Sequence, residues 1–259
     1  MALKSSRFGK ITVFQVRLRL HSRSNQRKEP TVAEFDAYAS DYNDALNEGL
    51  KLTGEEKEYF ATGRVEWLKR RLDVRPRNVL DFGCGTGTSC PILISGLGVE
   101  GYTGLDPSSA SILEAQARYA ATNVNFEHDP ARIPEETFDL AFTNGVFHHI
   151  PPEHRAEAAA LVWRSLKPGG YFAFWENNRW NPVVHFMMSR VSFDQDAQML
   201  FPHQARRLLL DAGFEIDLTD YLFVFPAALK SLRPLEPSLY RLPLGGQYLV
   251  LARKPLPAK

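Results

Sequence analysis

The sequence predicts an α/β fold: a doubly wound, Rossmann-like sheet of seven strands with helices on both faces and its last strand antiparallel. Three observations carry this expectation. Short apolar segments alternate with helical-period segments from Asn78 onward, the order that builds a mostly parallel sheet. The stretch "NVLDFGCGTGTS", Asn78 to Ser89, ends a strand in a glycine-dense turn and opens a helix, which aims backbone N–H groups at whatever lies above the sheet. The 259 residues, 44% hydrophobic and 24% charged, have the composition of a globular protein. That length suits one large α/β domain with an appendage.

The appendage comes first. Residues 1–28 carry eight Lys or Arg and no acid, while the remainder holds 23 basic against 30 acidic residues. This predicts a basic, flexible arm over 1–30. A transit segment or a surface for anionic partners is the alternative, and the alternating "KITVFQVRLRL" weakens the transit reading. A helical cap is expected over 31–75, because Phe35, Tyr38, Tyr42, Leu46 and Leu50 recur at helical spacing and Tyr59 to Leu72 does so again. The α/β domain then occupies 76–259.

Within it, Val79 to Phe82 reads as the first strand, followed by the glycine loop and a helix through about Leu97. "GYTGLD" is a second strand ending at Asp106, and "SSASILEAQARYA" a serine-capped helix. "VNFEH" is a third strand, and Asp129 to Glu136 a loop. "FDLAFTNGVF" is a fourth strand with its exit turn, Glu153 to Leu166 a helix, and "LKPGGYFAFWEN" a turn plus a fifth strand. Residues 177–203 break the rhythm and read as a lid or pocket-wall insertion. Trp180, His185, Phe186, Met187, Met188 and Phe193, with Asn177, Asn178 and Asp194, suit a mostly apolar small-molecule pocket or ordinary core. After a helix around Gln204–Ala212, "GFEIDLTDYLFVF" and "QYLVLARKP" close the sheet, joined by Pro-rich residues 226–244.

Several functions are excluded by composition. No apolar run approaches the roughly 20 residues of a membrane-spanning helix. The acidic main body is not built for nucleic acid. Cys84 and Cys90 form neither a zinc pattern nor a disulfide framework, so they read as reduced thiols of a cytoplasmic protein, with no metal expected. A monomer or homodimer acting on a small molecule is the simplest expectation.

The glycine loop lacks the lysine of a phosphate-binding Walker loop, and Thr88 stands where a dinucleotide fingerprint needs its third glycine. The spacing is instead G-x-G-x-G, formed by Gly83, Gly85 and Gly87 after Asp81. Asp106, at the end of the next strand, sits about where a ribose-binding acid belongs; a turn before Pro107 is the alternative. "VLDFGCGTG", "GLD", "HDPARIP", "FDLAFTNGVFHHI" and "LKPGGYFAF" match in order the motifs of class I S-adenosylmethionine-dependent methyltransferases, which residues 78–175 resemble. The resemblance implies S-adenosylmethionine as cofactor, S-adenosylhomocysteine as product, and Gly83, Cys84 and Gly85 cradling the methionine end. It implies Asp106 on the ribose, Asp129 with Pro130 beside the adenine, and Asn144, Gly145 and Val146 below the sulfonium. Asp81, Gly87 and Pro107 complete the motif set, and Tyr38, Tyr42 and Arg64 are cap candidates for the cofactor's carboxylate, with ordinary packing or a surface charge as the alternative for each. His148 and His149 follow the fourth strand, where the methyl group should point. One of them, His149 by preference, could take a proton from the acceptor; a structural histidine is the alternative. The reaction expected is methyl transfer to a small molecule, at oxygen. A nicotinamide oxidoreductase and a non-catalytic cofactor-binding protein are the rivals.

Overall fold

The computed structural model describes residues 53–188 and 197–257. The expected arm, the first part of the cap with Tyr38 and Tyr42, the strand-like "KITVFQVRLRL", and Phe193 and Asp194 lie outside the described residues. Seven strands form one sheet in the order β3-β2-β1-β4-β5-β7-β6. They are β1 Asn78–Phe82, β2 Gly101–Leu105, β3 Val124–Glu127, β4 Phe138–Asn144, β5 Leu166–Asn177, β6 Glu215–Leu222 and β7 Gln247–Arg253. The first five pair in parallel, whereas β7 runs antiparallel to both β5 and β6. The expected architecture, with its antiparallel final strand, is the one observed.

Alternation along the strands splits the core in two, because successive side chains point to opposite faces. Tyr171, Ala173 and Trp175 of β5 pack on one face with α1 (Lys57–Arg71), α2 (Cys90–Leu97) and α3 (Ser109–Tyr119). Phe172 and Phe174 pack on the other with α4 (Pro152–Ser165) and α6 (Pro202–Asp211). Ser108 caps α3, its Oγ accepting from Ser111 N at 3.1 Å, as the serine pair predicted. The fourth helix begins one residue earlier than expected and ends one residue earlier, because Pro152 suits a first helical position and Leu166 already pairs with Phe138.

Two expected loops contain regular turns. A 3-10 turn spans Pro130–Arg132, and the Pro-rich connection holds a 3-10 segment Ala227–Leu235 and a short α7, Glu236–Leu239. Inside the expected insertion, α5 spans Pro182–Met188.

Helix α1 is fixed to the far edge of the sheet by polar contacts. Asp220 on β6, 2% exposed, accepts from Trp67 Nε1 at 2.9 Å and from Arg71 Nε at 2.8 Å. The Arg71 guanidinium lies 4.6 Å from the ring centroids of both Trp67 and Tyr240. A planar delocalised cation between two aromatic faces is a favourable arrangement. Along its apolar side, Val65 and Leu68 of α1 pack with Cys90, Leu93 and Leu97 of α2.

Candidate active site

The first strand delivers the glycine loop to the top of the sheet, and β2 holds it there. Leu105 O accepts from Gly83 N at 2.7 Å and Cys84 N at 3.1 Å, while Asp106 Oδ2 accepts from Gly85 N at 2.9 Å. Asp106 Oδ1 also accepts from Ser108 N at 2.9 Å, so this carboxylate does shape a turn, as its alternative reading had it. Each carboxylate oxygen accepts two bonds, so that work is compatible with binding a ligand.

Above the loop lies a cavity of about 270 Å³. Asp81, Gly83, Cys84, Gly85, Asp106, Pro107, Asn144, Gly145, Val146, His149 and Arg64 all line it. The sequence thus brought eleven separated candidates to one place. Gly85 stands at φ +53°, and a Cβ built there meets nothing within 4 Å. Its backbone edges open space, the condition for close approach of a ligand to the chain. These features fit a nucleoside cofactor cradled at strand ends.

Four candidates stand elsewhere. Gly87 has φ +76°, and a Cβ there would come within 3.0 Å of the Phe126 ring and 3.1 Å of Ala115; this glycine serves helix packing rather than the cavity. Asp129 accepts from Ala131 N at 2.9 Å and caps the 3-10 turn that Pro130 begins; neither residue lines the cavity. His148 is buried against β5, where its Nδ1 lies 2.5 Å from Glu176 Oε2. The two imidazoles lie side by side, ring centroids 4.2 Å apart, but of the pair only His149 lines the cavity. The described part of the expected pocket insertion does not line it either. Val184 and Met188 instead pack with Met199, and Asn178 Nδ2 donates to Pro243 O at 3.0 Å and Gly245 O at 2.8 Å.

Three further groups escaped the sequence reading. Glu176, wholly buried, accepts from Phe147 N at 2.8 Å and His148 N at 3.3 Å. It thereby folds the turn that carries Val146 and His149 into the cavity. A carboxylate closing the apolar run "YFAFW" was the available signal, because a buried charge demands partners. Lys57 and Glu58 of α1 also line the cavity, and nothing in their surface-like helical spacing announced it. Gln247 opens β7 and contacts Arg64 and Asn144; partners so distant in sequence left no local trace.

The electrostatics follow from burial. Desolvation pushes the Asp81 carboxyl up to about 7, opposed by the hydrogen bond that Tyr102 Oη donates at 2.7 Å and by Arg64, and aided by Asp106. Burial, then the neighbouring His148, holds His149 well below its ordinary value, so at neutral pH it is an uncharged imidazole. Burial raises both thiols, Cys84 far up and Cys90 to about 12; both are free and unreactive as thiolates. Among the described residues no cluster of three or more metal-ligating side chains occurs, and no helix is long and apolar enough to cross a membrane.

The cavity at the strand tips, the glycine turn and the acid at the next strand define a Rossmann-like fold with a crevice suited to a nucleoside ligand. Residues 79–170 match the family described as a methyltransferase domain. The chain is 35% identical over 119 residues to a trans-aconitate 2-methyltransferase of Methylobacterium nodulans, covering 45% of each protein. It is 29% identical over 187 residues to the trans-aconitate 2-methyltransferase of Escherichia coli O139:H28, covering 65% of this chain and 71% of that one. The chain thus spans less than half the length of the first relative. In fold it is similar to a chain of the complex between the Haloferax volcanii Trm112 methyltransferase activator and a methyltransferase, with a TM-score of 0.62, 22% identity, and 86% and 98% coverage. Residues 79–170 thus carry the methyltransferase-domain match on a fold that the solved methyltransferase complex shares.

Proposed function

We propose that the protein transfers a methyl group from S-adenosylmethionine to an oxygen of a small organic molecule. The single observation that carries this reading is the convergence of the glycine loop, Asp106 and the tip of β4 on one cavity. The bound cofactor supplies a methyl group on positive sulfur, activated for displacement. The protein's part is alignment, which in well-oriented reactions is worth about 7–11 kcal/mol.

In this reading Gly83, Cys84 and Gly85 approach the methionine portion, Asp106 accepts from the ribose hydroxyls, and Arg64 faces the cofactor's carboxylate. Asn144, Gly145 and Val146 form the floor beneath the reacting carbon. An uncharged His149 in the wall can accept a proton from a hydroxyl acceptor. A carboxylate acceptor, the kind named for the relatives, is already ionised and needs no such help. Oxygen as the atom methylated is our reading of the uncharged imidazole, which suits a hydroxyl acceptor.

The test is methyl transfer from radiolabelled S-adenosylmethionine to a panel of organic acids, trans-aconitate among them, and of phenols and saccharides. Label recovered as an ester or ether is the expected result. Cofactor binding without transfer to any acceptor would favour the non-catalytic rival.

A further inference from the structure

The floor of the cavity is held by a short chain of amides whose direction is set by one cation. Arg64 Nη1 donates to Gln247 Oε1 at 2.8 Å. Gln247 Nε2 in turn faces Asn144 Oδ1 at 3.3 Å and Asn177 Oδ1 at 3.2 Å. Asn177 continues the same polarity, its Nδ2 lying 3.5 Å from Met188 Sδ.

Chemistry decides the direction of this chain. A guanidinium has no acceptor, so only the oxygen of Gln247 can face Arg64. Its NH₂ must then point at the two asparagines, which must answer with their oxygens. Asn144 lines the cavity, and with its Oδ1 turned to Gln247, the end it has for a ligand is its NH₂.

We propose that Gln247 is a positioning residue: reading its direction from Arg64, it turns Asn144 so that N–H donors, and not a carbonyl oxygen, meet the ligand. A group that accepts hydrogen bonds, such as a carboxylate or carbonyl oxygen, is then favoured at the floor over a protonated amine, which can only donate. This selection rests on the cavity being the methyl-transfer site; the direction of the amide chain does not.

The experiment follows side-chain NH₂ signals in the full-length ¹⁵N-labelled protein, assigned with Asn144→Asp and Gln247→Glu. In the wild type the Gln247 pair should exchange with water more slowly than the Asn144 pair. In Gln247→Glu the new carboxylate should draw the Asn144 NH₂ onto itself, slowing its exchange and shifting its signals. Gln247→Leu, which offers neither group, should leave the Asn144 pair fast. The reverse order in the wild type, or an Asn144 pair indifferent to Gln247→Glu in a folded protein, overturns the proposal. A second arm offers radiolabelled S-adenosylmethionine to a mixture of carboxylic acids and primary amines. Label on a carboxylate supports the selection, and label on an amine refutes it. Failure of S-adenosylhomocysteine to bind in calorimetry would remove the transfer reading while the exchange order still decides the amide chain.

Discussion

At the scale of single residues, Asp81 makes the sharpest prediction. Its folded value of about 7 lies above the ordinary 3.8, so the native state holds this proton more tightly than the unfolded chain does. The stabilisation from that proton is complete below about pH 4 and is lost as pH rises through 7. Asp81→Asn, always neutral and still able to accept from Tyr102, should match the wild type near pH 4. Above pH 7 it should be more stable, by on the order of a few kcal/mol. Thermal melts across pH 4–8 read this, and a gap that narrows with rising pH would contradict it. His149 has the opposite sense: its value is depressed, so its contribution is present above about pH 6.5 and falls away as pH drops. His149→Ala should cut transfer to a hydroxyl acceptor by about 10²-fold or more and leave S-adenosylhomocysteine affinity unchanged. Equal turnover by variant and wild type would retire it as the base.

At the scale of elements, the site depends on two supports that lie outside it. Helix α1 brings Lys57, Glu58, Ala61 and Arg64 to the cavity, yet it is held at its other end, by Trp67 and Arg71 on Asp220. Asp220→Ala removes an acceptor from both. Hydrogen bonds to charged groups contribute about 1.5–3 kcal/mol, so urea unfolding should show a loss of that order, accompanied by weaker cofactor binding. A variant as stable as the wild type would mean that α1 is held by its apolar face alone. The turn after β4 depends likewise on Glu176. Glu176→Leu leaves Phe147 N and His148 N without their acceptor inside the core, and folding should suffer by a similar amount in the same assay.

At the scale of the whole molecule, what was legible in the sequence was whatever repeats locally. Short, nearly continuous apolar runs in "VLDF", "YFAFW" and "QYLVLA" announced strands buried on both faces, and the glycine turn with Asp106 pointed to the crevice at the strand ends. Resemblance to a methyltransferase family supplied Asn144, Gly145 and Val146, which the structure brings to the same cavity. Gly87, Asp129, Pro130 and His148 stand apart from the cavity for one shared reason: each meets a local need, in packing, capping or a buried hydrogen bond, that motif order does not distinguish from contact with a ligand. Glu176, Gln247 and Asp220 were missed because their partners lie 28 to 183 positions away in the chain, where no spacing rule reaches. The central claim remains the cofactor. Calorimetric titration with S-adenosylhomocysteine should give saturable 1:1 binding to the wild type. Asp106→Ala, losing charge-assisted bonds worth about 1.5–3 kcal/mol, should weaken it roughly tenfold or more. Absence of binding to the wild type, or equal affinity in the variant, would contradict the account.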